Sequence, residues 1–313
     1  MILIKPKFWD EKINLFSIFL FPFSLIFLLF VNLKRKFTRI KSFKIPIICI
    51  GNIYVGGTGK TPASILLAKE LSKLGKRPSI LRKYYKNHID EYNLIKKNYK
   101  NLIIKNNRVN ALKDLEKSNF DTVILDDGLQ EYRIKKNLSI VCFNSNQLIG
   151  NGLTLPAGPL RESLIALKNA HIVIINGEKV KTFEKKILNI NPNLEIFYSF
   201  YKPINIEKFK NKRLLAIAGI GNPKNFFQLV EKNNLKIVKK IIFPDHYKFS
   251  KTEIKNILKE AKERKLQIIM TEKDYFKIQD YKINKIEYLK VSLRIKSQKK
   301  LIAKIKKIYD KNI

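Results

Sequence analysis

Cysteine and histidine are scarce in this chain of 313 residues: Cys49, Cys142, His88, His171 and His246 are all it has. Each cysteine lies inside an apolar run, which suits a small core side chain in a reduced compartment and excludes a disulfide framework. The histidines are too scattered to give metal-ligand spacing, which excludes a structural zinc site. Acidic residues are also few, 26 against 63 Lys and Arg, for a net charge of +37. The lysines are spread over almost every segment and rise together with Ile and Asn, the mark of A+T-rich coding drift rather than of a binding patch. No segment interleaves basic and aromatic residues as single-strand nucleic-acid binders do. What the charge does imply is attraction to anionic partners such as nucleotides, phosphorylated substrates or phospholipid surfaces.

A charged residue is missing altogether from residues 15–33, LFSIFLFPFSLIFLLFVNL. That run has about the length of a bilayer-spanning helix. Phe8 and Trp9 precede it as interface anchors, and Lys34, Arg35, Lys36 and Arg39 follow, which places the rest of the chain in the cytoplasm. Small residues are lacking at its end, which excludes a cleaved signal peptide. Pro22 lies near the middle, where it would kink or break a helix, so the run either spans the bilayer or lies in its interface as two short pieces.

Glycine is sparse, yet Gly56, Gly57 and Gly59 fall together in Ile48-Cys-Ile-Gly-Asn-Ile-Tyr-Val-Gly-Gly-Thr-Gly-Lys-Thr-Pro62. An apolar strand predicted over 44–50 runs into a glycine loop, then into an amphipathic helix over 61–73 with Ile65, Ala68, Leu71 and Leu74 on one face. Strand, glycine loop, Lys-Thr and helix build a phosphate cradle: backbone N–H groups turn toward one anion, Lys60 reaches the β/γ-phosphates and the Thr61 hydroxyl holds Mg²⁺. The strict pattern fails at one place, Tyr54, where the first glycine is expected.

Strands and helices alternate up to about residue 200, with strands at 78–81, 121–125, 138–143 and 172–175 and a helix at 109–117, which implies a parallel sheet covered by helices. The pattern restarts at Leu214-Leu-Ala-Ile-Ala-Gly-Ile-Gly-Asn-Pro223. The expected organisation is an anchor segment over 1–40, a P-loop-like α/β nucleotide-binding domain over 41–203, and a smaller C-terminal α/β domain over 204–313 that closes the cleft. A lysine-rich helix over 296–311 is expected to pack on that second domain. Thr122-Val-Ile-Leu-Asp-Asp127 delivers two carboxylates to the sheet edge beside the phosphate loop, where Asp126 or Asp127 would hold Mg²⁺. Asp90 and Glu91 stand in a predicted loop at the same edge. Asp245-His246 sits in a turn set by Pro244, a place for a histidine that accepts a proton or holds a carboxylate.

Six segments in order carry a resemblance: residues 51–62, Asp126-Asp-Gly-Leu-Gln130, Leu155-Pro-Ala-Gly-Pro-Leu-Arg-Glu162, Gly219-Ile-Gly-Asn-Pro223, Phe243-Pro-Asp-His-Tyr247 and Met270-Thr-Glu-Lys-Asp274. Together they closely resemble the motifs of the tetraacyldisaccharide 4'-kinase family, whose phosphate loop is similar to this one in lacking the first glycine. The resemblance implies transfer of the ATP γ-phosphate to the 4'-hydroxyl of an acylated glucosamine disaccharide 1-phosphate, giving lipid IVA, at the cytoplasmic face of the inner membrane. It implies that Tyr54, Val55, Gly56, Gly57, Thr58, Gly59, Lys60 and Thr61 hold ATP and that Thr61, Asp126, Asp127 and Glu91 serve Mg²⁺. Asp90 would be the base for the sugar hydroxyl, paired with His246 across the domain cleft, and Asn52, Arg161 and Glu162 would face the substrate. The expected partners are the lipid substrate and the membrane surface, with no nucleic acid, for a chain acting as a monomer. Two positions depart from the family: Leu81-Arg-Lys-Tyr-Tyr85 where Ser-Arg-Gly-Tyr-Gly is usual, and Glu131 where histidine is common. A reading from another class is a P-loop NTPase that switches a protein-targeting or maturation partner; it leaves the apolar run and residues 155–162 without a role.

Overall fold

The computed structural model describes residues 5–86, 88–245, 247–281 and 285–310. His246 lies outside the described residues, and with it the expected pairing to Asp90. In chain order the elements are α1 (Leu15–Phe37), β1 (Ile47–Gly51), α2 (Lys60–Lys73), β2 (Pro78–Lys83), α3 (Ile89–Asn98), β3 (Leu102–Lys105), α4 (Arg108–Leu115), β4 (Thr122–Asp126), β5 (Leu138–Asn144), β6 (Ile172–Asn176), α5 (Lys181–Ile190) and β7 (Glu195–Pro203). They continue as β8 (Arg213–Ala218), α6 (Pro223–Lys232), β9 (Lys236–Ile242), α7 (Lys251–Glu263), β10 (Gln267–Thr271), α8 (Glu272–Ile278), β11 (Ile286–Leu289), β12 (Val291–Ile295) and α9 (Gln298–Asp310).

Among the described residues, those of 5–84, 99–200 and 294–310 cluster as one unit and those of 85–98 and 201–293 as another. The first is built on a sheet in the order β12-β7-β6-β5-β1-β4-β2-β3. Its apolar runs are buried on both faces, as parallel strands covered by helices require; every residue of β1, β4, β5 and β6 is buried. β1 pairs in parallel with β4 on one side and β5 on the other. The connections leaving β1 and β4 therefore diverge at this point, the topological switch where α/β sheets bind ligands at the carboxyl ends of their strands.

The second unit carries a four-stranded parallel sheet in the order β11-β10-β8-β9. Its core joins Leu215, Ile217, Ile254, Ile268 and Met270 on one side and Phe209, Leu214, Ala216, Phe227 and Val230 on the other. Helix α3 belongs to this unit and packs against α8.

Three expectations change. Asp90 and Glu91 are not in a loop but in the first turn of α3, where carboxylates complement the helix dipole and Tyr92 and Ile95 supply a buried face. Residues 15–37 form one helix that runs through Pro22, not two pieces. The closing helix α9 groups with the first unit rather than with the C-terminal domain, because β12 returns the chain to the edge of the eight-stranded sheet. Lys304 then reaches Glu195 at 2.5 Å and the Tyr309 hydroxyl bonds that of Thr122 at 2.8 Å.

Candidate active site

The position of Tyr54 explains the missing glycine. After β1 the chain does not turn at once: Tyr54 forms an antiparallel bridge with Leu160, the Val55 N–H donates to the Pro159 carbonyl at 2.9 Å, and the Arg161 N–H donates to the Ile53 carbonyl at 2.6 Å. An extended residue facing the core needs no glycine, and the Tyr54 ring is fully buried among Ile53, Phe143 and Leu160. Its hydroxyl bonds Asp10, which also pairs with Lys5. Burial first, then the bond to Asp10, pushes the phenol up. The turning happens later, at Gly56 with φ +125° and at Gly59 with φ +91°, conformations that a side chain would strain.

Gly59 is the N-cap of α2, so the first N–H groups of that helix lack intrahelical partners and face an anion site. The Asn52 amide braces the loop through the carbonyls of Tyr54 and Gly56, the latter at 3.2 Å. Asn52 Oδ1 and Thr58 Oγ1 are buried without a hydrogen-bond partner among the described residues, polar capacity that a bound phosphate or its water would satisfy.

The two carboxylates at the end of β4 take different work. Asp126, fully buried, accepts from Thr61 Oγ1 at 3.1 Å and from Ser64 Oγ at 3.0 Å, and is paired with Arg82. Arg82 Nη1 also donates to Thr61 Oγ1 at 3.0 Å. Asp127 adopts φ +55°, a left-handed turn that aspartate tolerates better than most residues. The turn is pinned by Arg108, whose Nη2 donates to the carbonyls of Asp126 at 2.7 Å and Asp127 at 3.0 Å. Beyond it, a Cβ on Gly128 would stand 2.7 Å from Leu125 Cβ, so the close approach there requires glycine.

So turned, Asp127 lies 3.5 Å from Lys60 Nζ and 3.1 Å from Arg161 Nη1. Burial opposes ionisation of Asp127, but Lys60, Arg161 and Arg82 outweigh it and hold the carboxyl well below the usual carboxylate range. Burial likewise pulls the Lys60 ammonium down, with Asp127 opposing it. Glu162 is buried and accepts from Gln130 Nε2 at 2.7 Å, which also donates to the Asn52 carbonyl at 3.1 Å. Glu131, at the departure from the family pattern, takes Arg133 at 2.8 and 2.9 Å.

Lys60, Thr61, Asp126, Asp127, Arg161, Asn52 and Glu162 thus come together in the first unit. Asp90 and Glu91 come together in the second, around Lys273 at 3.5 and 3.2 Å. Sequence reasoning passed over Arg82, Arg108, Ser64, Gln130 and Lys273. Arg82 stands inside a quoted departure and Gln130 and Lys273 inside quoted motifs, so only a position, not a partner, was available for them.

A phosphate loop at a helix N-terminus, a lysine and an arginine on one carboxylate, and a hydroxyl on a second define a P-loop phosphotransferase. The family model described as Tetraacyldisaccharide-1-P 4'-kinase matches residues 16–310. The chain is similar to the tetraacyldisaccharide 4'-kinase of Pelagibacter ubique (strain HTCC1062), 43% identical over 100% of both chains. It is also similar to that of Francisella tularensis subsp. novicida (strain U112), 33% identical over 92% of this chain and 98% of the relative. The crystal structure of the "apo" form of LpxK from Aquifex aeolicus in complex with ATP has the same fold, with TM-score 0.71 and 24% identity over 93% of this chain and 99% of that one. The chain belongs to the tetraacyldisaccharide-1-P 4'-kinase family and is a kinase. The reading as a protein-targeting switch is not favoured by these matches.

Proposed function

We propose that this chain transfers the γ-phosphate of ATP to the 4'-hydroxyl of a tetraacyldisaccharide 1-phosphate in lipid A synthesis, completing lipid IVA. The observation that carries the reading is the joining of the phosphate loop to residues 153–161: the same strand-like pairing that buries Tyr54 brings Arg161 beside Lys60 on Asp127. Two cations converging next to a helix N-terminus suit the charge of a triphosphate.

Phosphoryl transfer needs in-line placement, charge neutralisation and a proton acceptor. The loop N–H groups and Lys60 bind and orient the phosphates, while Arg161 holds Asp127 and adds positive charge. Thr61 Oγ1 and the Asp126 carboxylate, 3.1 Å apart, are hard oxygen donors of the kind Mg²⁺ takes alongside phosphate oxygens, so the residues fit the ion. When bound, Mg²⁺ neutralises charge on the transferred phosphoryl group. Asp90 accepts the proton of the 4'-hydroxyl as the sugar oxygen bonds the γ-phosphorus and the bond to the ADP oxygen breaks. His246 is assigned to Asp90, and Glu91 to the metal side, by the family resemblance.

Helix α1 carries the reading to a membrane. An 18-residue stretch of it has mean hydropathy 2.3, and Leu15, Phe16, Phe19, Ile26 and Phe30 are all more than half exposed, so it is no core helix. Two serines tie one face to the first unit: Ser24 Oγ donates to the Thr154 carbonyl at 2.8 Å and accepts from the Ala157 N–H at 3.0 Å, and Asn151 Nδ2 donates to Ser17 Oγ at 3.3 Å. A helix held near its middle by the globular unit suits the interface of the inner membrane, on the cytoplasmic face, better than a free span. ATP-dependent labelling of the acylated disaccharide in mixed micelles, with Lys60→Ala as control, tests the function; an unlabelled lipid would overturn it.

A further inference from the structure

Lys273, the second residue of α8, reaches three carboxylates from two places in the second unit: Asp245 at 3.0 Å, and Glu91 at 3.2 Å and Asp90 at 3.5 Å in the first turn of α3. Its side chain and those of Asp90 and Glu91 are at most 16% exposed, so these charges are only partly screened by solvent. Its mount is rigid. Thr271 caps α8 by accepting the Asp274 N–H at 3.1 Å, and Asp274, fully buried, accepts from the Gly219 N–H at 2.8 Å and pairs with Lys277 at 2.6 Å. The neighbouring His88 Nδ1 stands 3.5 Å from Glu91. A lysine serving only to neutralise a carboxylate would close one short pair. This one is divided among three acids that would otherwise repel one another, which fixes where each of them stands.

We infer that Lys273 is a positioning residue for Asp90: its ammonium holds the first turn of α3 and the Asp245 turn in one arrangement, so that the Asp90 carboxylate is presented in a single pose. The inference rests on Asp90 being the proton acceptor of the proposed reaction. Misplacing a reacting group by about 1 Å costs on the order of 100-fold in rate. Lys273 touches neither the phosphate loop nor its helix among the described contacts, so ATP binding is not its task.

The test uses the full-length chain in the micelle assay, with Lys273→Met, Lys273→Arg, Asp90→Ala and the double variant Asp90→Ala/Lys273→Met. Expected is a loss of roughly 10- to 100-fold in kcat for Lys273→Met, with KM for ATP within about twofold, and a double variant no slower than Asp90→Ala alone. Lys273→Arg keeps the charge and covers the case in which the neutral variant fails to fold; it should hold kcat within about fivefold. A folded Lys273→Met with near-normal kcat overturns the inference, as does a folded Lys273→Arg without turnover. A double variant slower than Asp90→Ala by the full single-variant factor overturns it too, since Lys273 would then act apart from Asp90. If Asp90→Ala itself turns over normally, the base assignment falls and takes the inference with it. An inactive Asp90→Ala beside an active Lys273→Met removes the inference alone.

Discussion

Replacing Tyr54 with glycine would restore the strict phosphate-loop pattern, and the structure predicts that it damages the protein. Tyr54 is fully buried in the core with Phe143, Leu160 and Val173, and its backbone bridges Leu160. Emptying an aromatic core site costs about 3–5 kcal/mol, and glycine adds roughly 0.5–1 kcal/mol of chain entropy. For a unit of this size each kcal/mol lowers Tm by about 2–4 °C, so Tyr54→Gly should unfold roughly 10–20 °C below the unsubstituted chain. Tyr54→Phe isolates the hydroxyl: it removes the bonds to Asp10 and from Lys5, whose side chains are 42% and 26% exposed and stay paired with each other, so the loss should be about 1 kcal/mol or less. Thermal unfolding followed by circular dichroism reads both. A Tyr54→Gly protein melting within about 2 °C of the unsubstituted chain would refute the idea that this position is a core residue rather than a turn.

The charge cluster predicts a pH dependence. Because Lys60, Arg161 and Arg82 hold Asp127 below its ordinary value against the effect of burial, its contribution to stability is complete above the unfolded-chain value of about 3.9 and is lost as pH falls beneath it. Asp127→Asn should therefore lower the urea midpoint at pH 7 and at pH 5 by the same amount, with the gap narrowing below about pH 4; a gap that widens in acid would contradict this. Ser24→Ala leaves the Ala157 N–H without its partner at a buried contact, while the Thr154 carbonyl keeps the Gly158 N–H, at a cost of about 1–3 kcal/mol; limited proteolysis between α1 and the globular unit should accelerate. A chain starting near Lys34 should leave anionic vesicles while still melting cooperatively, at a temperature lowered by the lost Ser24 contact, and unchanged sedimentation with vesicles would sink the anchor.

What was legible in the sequence was what is local. The glycine loop, Lys60-Thr61 and the carboxylates ending β4 lie within short segments whose order alone implies their geometry. The Tyr54 anomaly resolves only through a partner about a hundred residues away in sequence, Leu160, and no local pattern reports that pairing. Arg82 meets Asp126 because β2 and β4 are adjacent with those two residues in register, a consequence of strand order rather than of composition. The first turn of α3 was hidden for another reason: beside the buried Asp90 its apolar face is only two residues, Tyr92 and Ile95, too short to declare a helix. The face of α9 was readable but its partner was not, since an amphipathic stripe does not say which sheet will cover it.

The most direct test follows the label of γ-³²P-ATP in a single turnover with the acylated disaccharide 1-phosphate present or omitted. The account predicts label in a 4'-phosphomonoester of the lipid, little inorganic phosphate without the acceptor, and neither product with Lys60→Ala. Phosphate released at the same rate with and without the acceptor, and no labelled lipid, would contradict it.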